Sequence, residues 1–240
     1  MISKAALKSI NALKLKKYRT LERKFLVEGI KSVNEVCKSS WEVDRILATE
    51  VASNNLSDKS KVEIVDEKQL RDLSQLSNNE DCLAVVKMKD YPSERDFRGI
   101  TLVVDGLQDP GNLGTIVRTL DWFGYDQLIC SSDTVDFYNI KTISASMGSF
   151  TRVIPFYTDL EQLFAHSSQP ILGMDMNGVS IREYKKPDAA FIVMGSESLG
   201  IRPYLKPYIS QSLTIPGAGN AESLNVAIAT GIVLFSLANL

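Results

Sequence analysis

Strand-like segments that are apolar on both faces recur between residues 100 and 216, and this pattern constrains the fold most. They read ITLVVDG, QLICS, PILGMD, AAFIVMG and SLTIP, with helix-forming stretches between them. A strand that is apolar throughout must be buried on both faces, as in a parallel sheet covered by helices. The pattern predicts a wound α/β structure, in which ligands bind outside the carboxyl ends of the strands.

The residues before this pattern have a different organisation. They predict a basic amphipathic helix over residues 5–17, a helix over residues 30–39, and short apolar segments FLVEG, VDRILAT, VEIV and CLAVVKM. The segment KDYPSERDFRG, residues 89–99, is polar, contains proline and glycine, and is predicted to be a linker. We expect a small α/β domain over residues 1–90 and a second domain over residues 98–240.

Composition excludes several classes of protein. The 240 residues are 44% hydrophobic and 23% charged, which is typical of a globular protein. The longest apolar run, residues 226–240, is shorter than the roughly 20 residues that a bilayer span requires. Cys37, Cys82 and Cys130 are far apart and predict neither a disulfide framework nor a metal site. We expect a cytoplasmic protein without a metal ion or a membrane partner.

The net charge of -2 conceals a basic amino terminus. Lysines and arginines crowd the first 24 residues against the single acid Glu22, which leaves the remainder acidic. Such asymmetry can form a basic patch that binds nucleic acid. For the charges alone, a solvated helix face is the simpler explanation.

The segment GAGNAESLN, residues 217–225, looks at first like a dinucleotide-binding turn. The third glycine of that fingerprint is replaced by Glu222, and no strand follows the segment. A pyrophosphate would also meet the Glu222 carboxylate at the start of a helix. A nucleotide-dependent oxidoreductase is therefore rejected.

Polar residues and glycines follow three of the predicted strands. Asn112 and Arg118 follow the first strand, Glu197 lies in the glycine turn MGSESLG, and Ser223 and Asn225 follow the last strand. Taken singly, three of these residues have a simpler explanation: Asn112 as a helix N-cap, Arg118 as a surface charge, and Glu197 as a residue that favours a helix start.

Taken together, the segments match a family pattern in order. N-x-G-x-x-x-R with FG, then G-x-E-x-x-G, then I-P-x-x-G-x-x-x-S-L-N-V resemble the motifs of the SpoU (TrmH-like) RNA ribose 2′-O-methyltransferases of the SPOUT superfamily. The matching residues are Asn112, Gly114, Arg118, Phe123 and Gly124; Gly195, Glu197 and Gly200; and Ile215, Pro216, Gly219, Ser223, Leu224, Asn225 and Val226. Gly217 departs from the family, which commonly has methionine there.

The resemblance implies a fold and a reaction. The implied fold is α/β, with a carboxy-terminal SPOUT domain that contains a parallel sheet and a trefoil knot. A small α/β RNA-binding domain precedes it, and residues 17–36 resemble part of that domain. The reaction transfers a methyl group from S-adenosylmethionine to the 2′-hydroxyl of a ribose in structured RNA, rRNA being favoured over tRNA. A catalytically silent RNA-binding or ribosome-assembly factor on the same fold is the alternative, which Gly217 leaves open.

The resemblance also implies site residues. The catalytic and supporting residues are Arg118, Ser223, Asn225, Asn112 and Glu197. The cofactor-binding residues are Met194, Gly195, Gly200, Ile215, Gly219 and Leu224. The RNA-binding residues are Lys14, Lys16, Lys17, Arg19, Arg23 and Lys24.

Two further expectations concern Arg118 and the end of the chain. Because a guanidinium stays protonated, we expect Arg118 to bind phosphate rather than act as a base. Residues 222–240 are predicted to form a helix that is apolar nearly all round and must be covered on more than one face. Since the family is dimeric, we expect a homodimer; deep burial of this helix within one subunit is the alternative.

Overall fold

The chain forms two units, which the computed structural model describes over residues 2–75, 81–90 and 95–238. One unit comprises Met1–Pro92 and Asp136–Thr151, and the other comprises Ser93–Val135 and Arg152–Leu240. Residues 136–151, which the sequence predictions assign to the second domain, thus group with the first unit. Residues 91–94 of the predicted linker lie outside the described residues, and the predicted domain boundaries stay predictions.

The amino-terminal part of the first unit mixes short helices with a four-stranded sheet in the order β1-β4-β2-β3. β2 and β3 are parallel, and the other pairs are antiparallel. The elements are α1 (Lys4–Ala12), α2 (Lys16–Glu22), β1 (Lys24–Glu28), α3 (Ile30–Cys37), β2 (Val43–Ala48), α4 (Glu50–Ser53), β3 (Val62–Ile64), α5 (Glu67–Leu73) and β4 (Cys82–Lys87).

Strands and helices alternate in the rest of the chain. The elements are β5 (Ile100–Val104), α6 (Pro110–Trp122), β6 (Gln127–Ser131), α7 (Ile140–Ser146), β7 (Ile154–Thr158), α8 (Leu160–Ala165), β8 (Ile171–Ser180), β9 (Ala190–Met194), β10 (Gln211–Thr214) and α9 (Val226–Leu237), with 3-10 helices at Ser149–Thr151 and Pro203–Tyr208.

The sheet of the second unit has six strands in the order β10-β8-β9-β5-β6-β7, and every neighbouring pair is parallel. The predicted wound α/β fold is confirmed. β7 was not predicted as a strand, because Pro155 interrupts its pattern and its side chains are mostly half-buried. β7 lies at the sheet edge, where a proline without a backbone donor is tolerated. The trefoil knot that the resemblance implies stays a prediction.

The strand order creates a switch point between β5 and β9. From β5 the chain proceeds to β6 and β7 on one side, whereas β8 and β10 lie on the other side of β9. At such a point neighbouring connections leave in opposite directions and open a crevice at the carboxyl ends of the strands. The loops after β5 and β9 therefore begin side by side.

The predicted helix over residues 5–17 is broken in the structure. α1 ends at Ala12, Leu13 turns inward with 3% of its surface exposed, and α2 begins at Lys16. The break leaves the carbonyl groups of Leu13 and Lys14 without helical partners, and Arg19 Nη1 donates to both, at 3.0 Å and 2.7 Å. The guanidinium of Arg19 thus stabilises the turn between the two helices.

Arg19 is also the cation of a buried ion pair. Its side chain is 4% exposed, and its Nε donates to Asp136 Oδ2 at 3.1 Å. The prediction that Arg19 binds RNA is corrected by this arrangement, because its guanidinium is already bound inside the first unit.

Aromatic side chains attach residues 136–151 to the first unit. Tyr138 and Phe150 pack against Phe25 with ring centroids 4.8 Å and 6.0 Å away, and Phe150 also packs against Trp41. The indole of Trp41 donates to the Thr151 carbonyl oxygen at 3.3 Å. Aromatic pairs at these separations contribute beyond their buried area.

The carboxy-terminal helix α9 is shorter than predicted. It begins at Val226 rather than at residue 222, because Asn225 is its N-cap. Residues 239–240 of the predicted helix lie outside the described residues. Within the described part of the chain, no helix has the length and apolar character needed to cross a membrane.

We predict that Arg19→Ala lowers the free energy of unfolding by about 3 kcal/mol or more, since it leaves the Asp136 carboxylate half-buried without its cation. Arg23 is the matched control, because it pairs with the exposed Asp90. Arg23→Ala should cost less than about 1 kcal/mol. Urea unfolding checks this, and equal losses for the two variants would contradict a structural role of Arg19.

Candidate active site

The loop after β5 leads into α6 through a side-chain cap. Asp109 is the N-cap, and its Oδ1 accepts from the backbone N–H of Asn112 at 2.7 Å. Asn112 therefore lies in the first turn of α6, and the simpler interpretation of Asn112 as the N-cap is wrong. Its side chain is left available for other partners.

The side chain of Asn112 joins the three sequence motifs. Its Nδ2 donates to Glu197 Oε1 at 2.5 Å, and its Oδ1 accepts from Asn225 Nδ2 at 3.0 Å. Asn225 Oδ1 in turn accepts from the backbone N–H groups of Ala227 and Ile228. Residues that are far apart in sequence thus form one hydrogen-bonded chain, which we call the Asn112 network (Glu197, Asn112 and Asn225).

The residues after β9 form a tight turn, the glycine hairpin (residues 195–200). Ser196 and Gly200 exchange backbone hydrogen bonds of 3.1 Å and 2.9 Å. A Cβ on Gly195 would lie 2.0 Å from the carbonyl carbon of Gly200, and Gly200 has a φ of +62°. Both glycines are required by the backbone of the hairpin. The preceding Met194 is buried at the strand end.

Residues 215–224 form the loop between β10 and α9, which we call the open loop. Within the described part of the chain, none of them makes a backbone–backbone hydrogen bond. A Cβ on Gly217 or Gly219 would meet no atom within 4 Å, and Leu224 is 47% exposed. Free amides and carbonyls beside an exposed apolar side chain suit an apolar ligand held by backbone groups.

This chemistry fits S-adenosylmethionine. The adenosine moiety needs an apolar surface with a few backbone donors and acceptors, and no phosphate has to be neutralised. Because the space beside Gly217 is open, the departure from methionine there disturbs no packing within the described residues. The residues present are compatible with this cofactor.

A buried carboxylate that the sequence predictions missed lies at the end of β5. Asp105 is fully buried, and it accepts from Arg202 N at 2.9 Å and from Arg202 Nε at 2.6 Å. The sequence pattern that could have identified Asp105 is an acidic residue directly after an apolar strand. The pair attaches the residues that follow the glycine hairpin to the switch point.

Asp133 completes this cluster from the loop after β6. It accepts from Arg202 Nη1 at 2.9 Å and from Ser131 Oγ at 2.7 Å. Desolvation acts to raise the pKa of Asp133, but the bonds from Ser131 and Arg202 and the charge of Arg202 outweigh it. The pKa lies below its usual value, so the stability that Asp133 contributes is lost only as the pH falls through this lowered pKa.

Over the residues that the structure describes, no hydrogen bond joins Arg118 or Ser223 to the Asn112 network. Arg118 is exposed on α6 and has no ion pair among the residues that the structure describes. Ser223 is exposed in the open loop. Trp122, one turn after Arg118 on the same side of α6, is 83% exposed. The side chains of Arg118 and Ser223 are therefore accessible to a substrate.

Most of the predicted RNA-binding cations bind other groups of the first unit. Lys14 Nζ donates to the carbonyl oxygens of Asp72 and Ser74 at the end of α5. Lys24 pairs with Asp44 at 3.0 Å, and Arg23 pairs with Asp90. The predicted cations that are exposed and lack an ion pair in the described ranges are Lys16 and Lys17.

We predict that Asn225→Asp and Asn225→Ala have different effects. Asp keeps the N-cap acceptor but loses the donor to Asn112, so the free energy of unfolding should stay within about 0.5 kcal/mol of the wild type. Ala loses both functions and should cost about 1 kcal/mol. Both variants should increase hydrogen exchange in the glycine hairpin. Unchanged exchange in both would contradict the Asn112 network.

Known protein families match both parts of the chain. The SpoU rRNA Methylase family model matches residues 99–235, and the MRM3-like substrate binding domain matches residues 4–84. The 23S rRNA (guanosine(2553)-2′-O)-methyltransferase RlmP of Bacillus subtilis is 30% identical over 235 residues, covering 94% of this chain and 92% of the relative. The 23S rRNA (guanosine-2′-O-)-methyltransferase RlmB of Neisseria meningitidis serogroup B is 32% identical over 142 residues, 56% of each chain.

Two solved structures resemble this chain over nearly its whole length. A TrmH-family protein from Porphyromonas gingivalis has a TM-score of 0.88 and 34% identity, covering 99% of this chain and 98% of that one. An AdoMet-bound rRNA methyltransferase from Sinorhizobium meliloti has a TM-score of 0.86 and 28% identity, covering 99% and 96%. The resemblance found in the sequence motifs is confirmed, and the chain belongs to the SpoU rRNA methylase family.

Proposed function

We propose that this protein transfers a methyl group from S-adenosylmethionine to the 2′-hydroxyl of a ribose in rRNA. The observation that carries the proposal is the Asn112 network, in which a single side chain connects the three loops that bear the family motifs. A catalytically silent factor would not require these polar side chains to converge at the carboxyl edge of the sheet.

The RNA class follows from the relatives. The Bacillus subtilis relative, which this chain matches over 92% of the relative's length, is named as a 23S rRNA 2′-O-methyltransferase, and the Sinorhizobium meliloti structure as an rRNA methyltransferase. We therefore favour rRNA over tRNA, as the sequence predicted. An rRNA substrate also accords with the predicted cytoplasmic location.

The cofactor is proposed to lie between the glycine hairpin and the open loop. Backbone groups of Gly195, Gly200, Ile215 and Gly219 would hold it, together with the backbone that follows the buried Met194 and with the apolar side chain of Leu224. When bound, S-adenosylmethionine supplies an electrophilic methyl group on a sulfonium. The backbone at Gly195 and Gly200 is already constrained by the hairpin, which reduces the entropy lost on binding.

The side chains around this position are proposed to orient the RNA. Ser223 and Asn225 flank Leu224 in the sequence and can hydrogen-bond the ribose. Asn225 donates to Asn112, which in turn donates to Glu197. The guanidinium of Arg118 binds the phosphate of the target nucleotide through its planar donors. In the transfer, the ribose 2′-oxygen would form the new bond to the methyl carbon as the carbon–sulfur bond breaks, the neutral thioether S-adenosylhomocysteine would leave, and the hydroxyl proton would pass to phosphate or water.

The proposal predicts that the protein incorporates labelled methyl groups from S-adenosylmethionine into 23S rRNA, in a product that resists alkaline cleavage at one ribose. Arg118→Ala should reduce incorporation at subsaturating RNA by about tenfold to 100-fold, since a hydrogen bond to a charged group contributes about 1.5–3 kcal/mol. Thr115→Ala, an exposed change on the same helix, is the matched control. Cofactor binding by calorimetry without any incorporation, or no cofactor binding, would favour the silent factor instead.

The role of Arg118 is resolved by Arg118→Lys in the same assay. Lysine keeps the charge but loses the bidentate geometry. A raised KM for RNA with a near-normal kcat would support phosphate binding. A loss of kcat at saturating RNA would contradict this role and favour a part in proton transfer.

We also propose a homodimer formed through α6 and α9. The two helices pack together where Gly231 approaches Thr119, and their outer sides expose apolar residues. These are Trp122 at 83%, Ile228 at 58%, Ile232 at 37% and Phe235 at 65% exposed. An apolar patch of this kind on two adjoining helices is typical of a protein–protein interface. Since Arg118 shares the exposed side with Trp122, the partner subunit would adjoin the site.

The dimer proposal predicts that Phe235→Asp converts the protein to a monomer in sedimentation at micromolar concentration, because a carboxylate would be buried in the interface. Val51→Asp is the matched control, since Val51 is 78% exposed on α4 of the first unit. A wild-type monomer, or an unchanged Phe235→Asp dimer, would contradict the proposed interface.

A further inference from the structure

We infer that α2 is a nucleobase-stacking surface, on which Tyr18 receives an unpaired base of the RNA while Lys16 and Lys17 bind neighbouring phosphates. The inference rests on the proposed function and adds the form of RNA that the first unit recognises. We call Leu15, Tyr18 and Leu21 the α2 ridge.

The α2 ridge is an unusual apolar surface for so short a helix. Leu15 is 60% exposed, Leu21 is 69% exposed and Tyr18 is 37% exposed. Leu15 is the N-cap of α2, and Tyr18 and Leu21, three residues apart, lie at neighbouring positions on one side of the helix. The adjacent residue Arg19 is buried against Asp136, so α2 cannot rotate to bury Tyr18 and Leu21 without breaking this ion pair. The exposure is therefore a consequence of how α2 is anchored.

The charges on α2 identify the kind of partner. Lys14, Arg19, Arg23 and Lys24 bind acids or carbonyl groups within the first unit. Lys16 and Lys17 are exposed without an ion pair in the described part of the chain, and they adjoin the ridge in sequence. Positive charge on a helix that also exposes an apolar surface complements a partner with flat apolar groups joined by phosphates.

Tyr18 and Lys17 combine both kinds of contact. Lys17 Nζ lies 5.9 Å from the centroid of the Tyr18 ring. An aromatic ring flanked by a cation suits the binding of single-stranded nucleic acid, because every base has a face that can stack on the ring and a phosphate that can bind the cation. In a duplex the base faces are already stacked and the grooves show only base edges, so the ridge favours loops and single strands.

Self-association through the ridge is disfavoured by the same charges. A twofold contact would bring Lys16 and Lys17 of one protomer close to the same residues of the other. Within the described residues of α2, Glu22 is the only acid that could offset them. An RNA loop has no such penalty, since its phosphates attract these lysines.

Binding of three probes tests the inference: a single-stranded oligoadenylate, a hairpin with an adenosine-rich loop, and a blunt duplex. We expect the wild type to bind the first two more tightly than the duplex. Tyr18→Ala should weaken binding to the hairpin about tenfold, whereas Tyr18→Phe should keep it, since stacking requires only the ring. Leu21→Ala should also weaken binding to the hairpin, and Val51→Ala, the matched exposed control, should leave it unchanged.

Salt dependence separates the ring from the charges. Tyr18→Ala should leave the slope of log Kd against log salt unchanged. Lys16→Ala should reduce the slope by about 0.7, as expected for loss of one phosphate contact to a single strand. Lys59→Ala, an exposed lysine of the same unit, should leave both the affinity and the slope unchanged.

Several outcomes would overturn the inference. Equal hairpin affinity for the wild type and Tyr18→Ala would do so, as would equally tight binding of the duplex. A change in sedimentation of the Tyr18→Ala protein would identify the ridge as a contact between copies instead. These failures are distinguishable from failure of the proposed function, because the wild type would still methylate 23S rRNA.

Discussion

Parallel hydrogen bonding of the six strands puts all their carboxyl ends at one edge of the sheet, and the candidate site depends on this constraint. The order of the strands adds a switch point between β5 and β9, so that the loops after these strands open beside each other. The ion pair between Asp105 and Arg202 then connects the two loops at their bases. Since Asp105 is fully buried, loss of Arg202 would leave an uncompensated charge, and the two loops are held in place together.

Helix caps determine which side chains are free to form the site. Asp109 caps α6, which leaves the amide of Asn112 available to Glu197 and Asn225. Asn225 caps α9 with its oxygen and bonds Asn112 with its nitrogen. Because one amide serves both purposes, the start of α9 and the position of the site residues are coupled. The open loop before α9 has no comparable constraint within the described residues, as suits a segment that contacts a ligand through its backbone.

The first unit uses most of its positive charge internally. A helix predicted over residues 5–17 breaks at Leu13 because this leucine packs in the core, and Arg19 binds the carbonyls that the break exposes. Anchoring Arg19 also fixes the orientation of α2, which leaves Tyr18 and its leucine neighbours outside. The predicted basic patch thereby becomes a smaller surface, in which two lysines flank an apolar ridge.

The sequence by itself determined the fold class and the identity of the motif residues. Strands that are apolar on both faces can be buried only between two layers of helices, which indicates the fold class. The glycine spacing around Glu197 and Asn225 is a local pattern, which identifies the motif residues without a structure. Tertiary structure alone decided that Arg19 is buried, that β7 with its Pro155 is an edge strand, that Asp105 pairs with Arg202, and that residues 136–151 pack in the first unit. Each of these depends on a partner distant in sequence, and a local pattern shows the charge or apolar character of a side chain but not which distant group it meets.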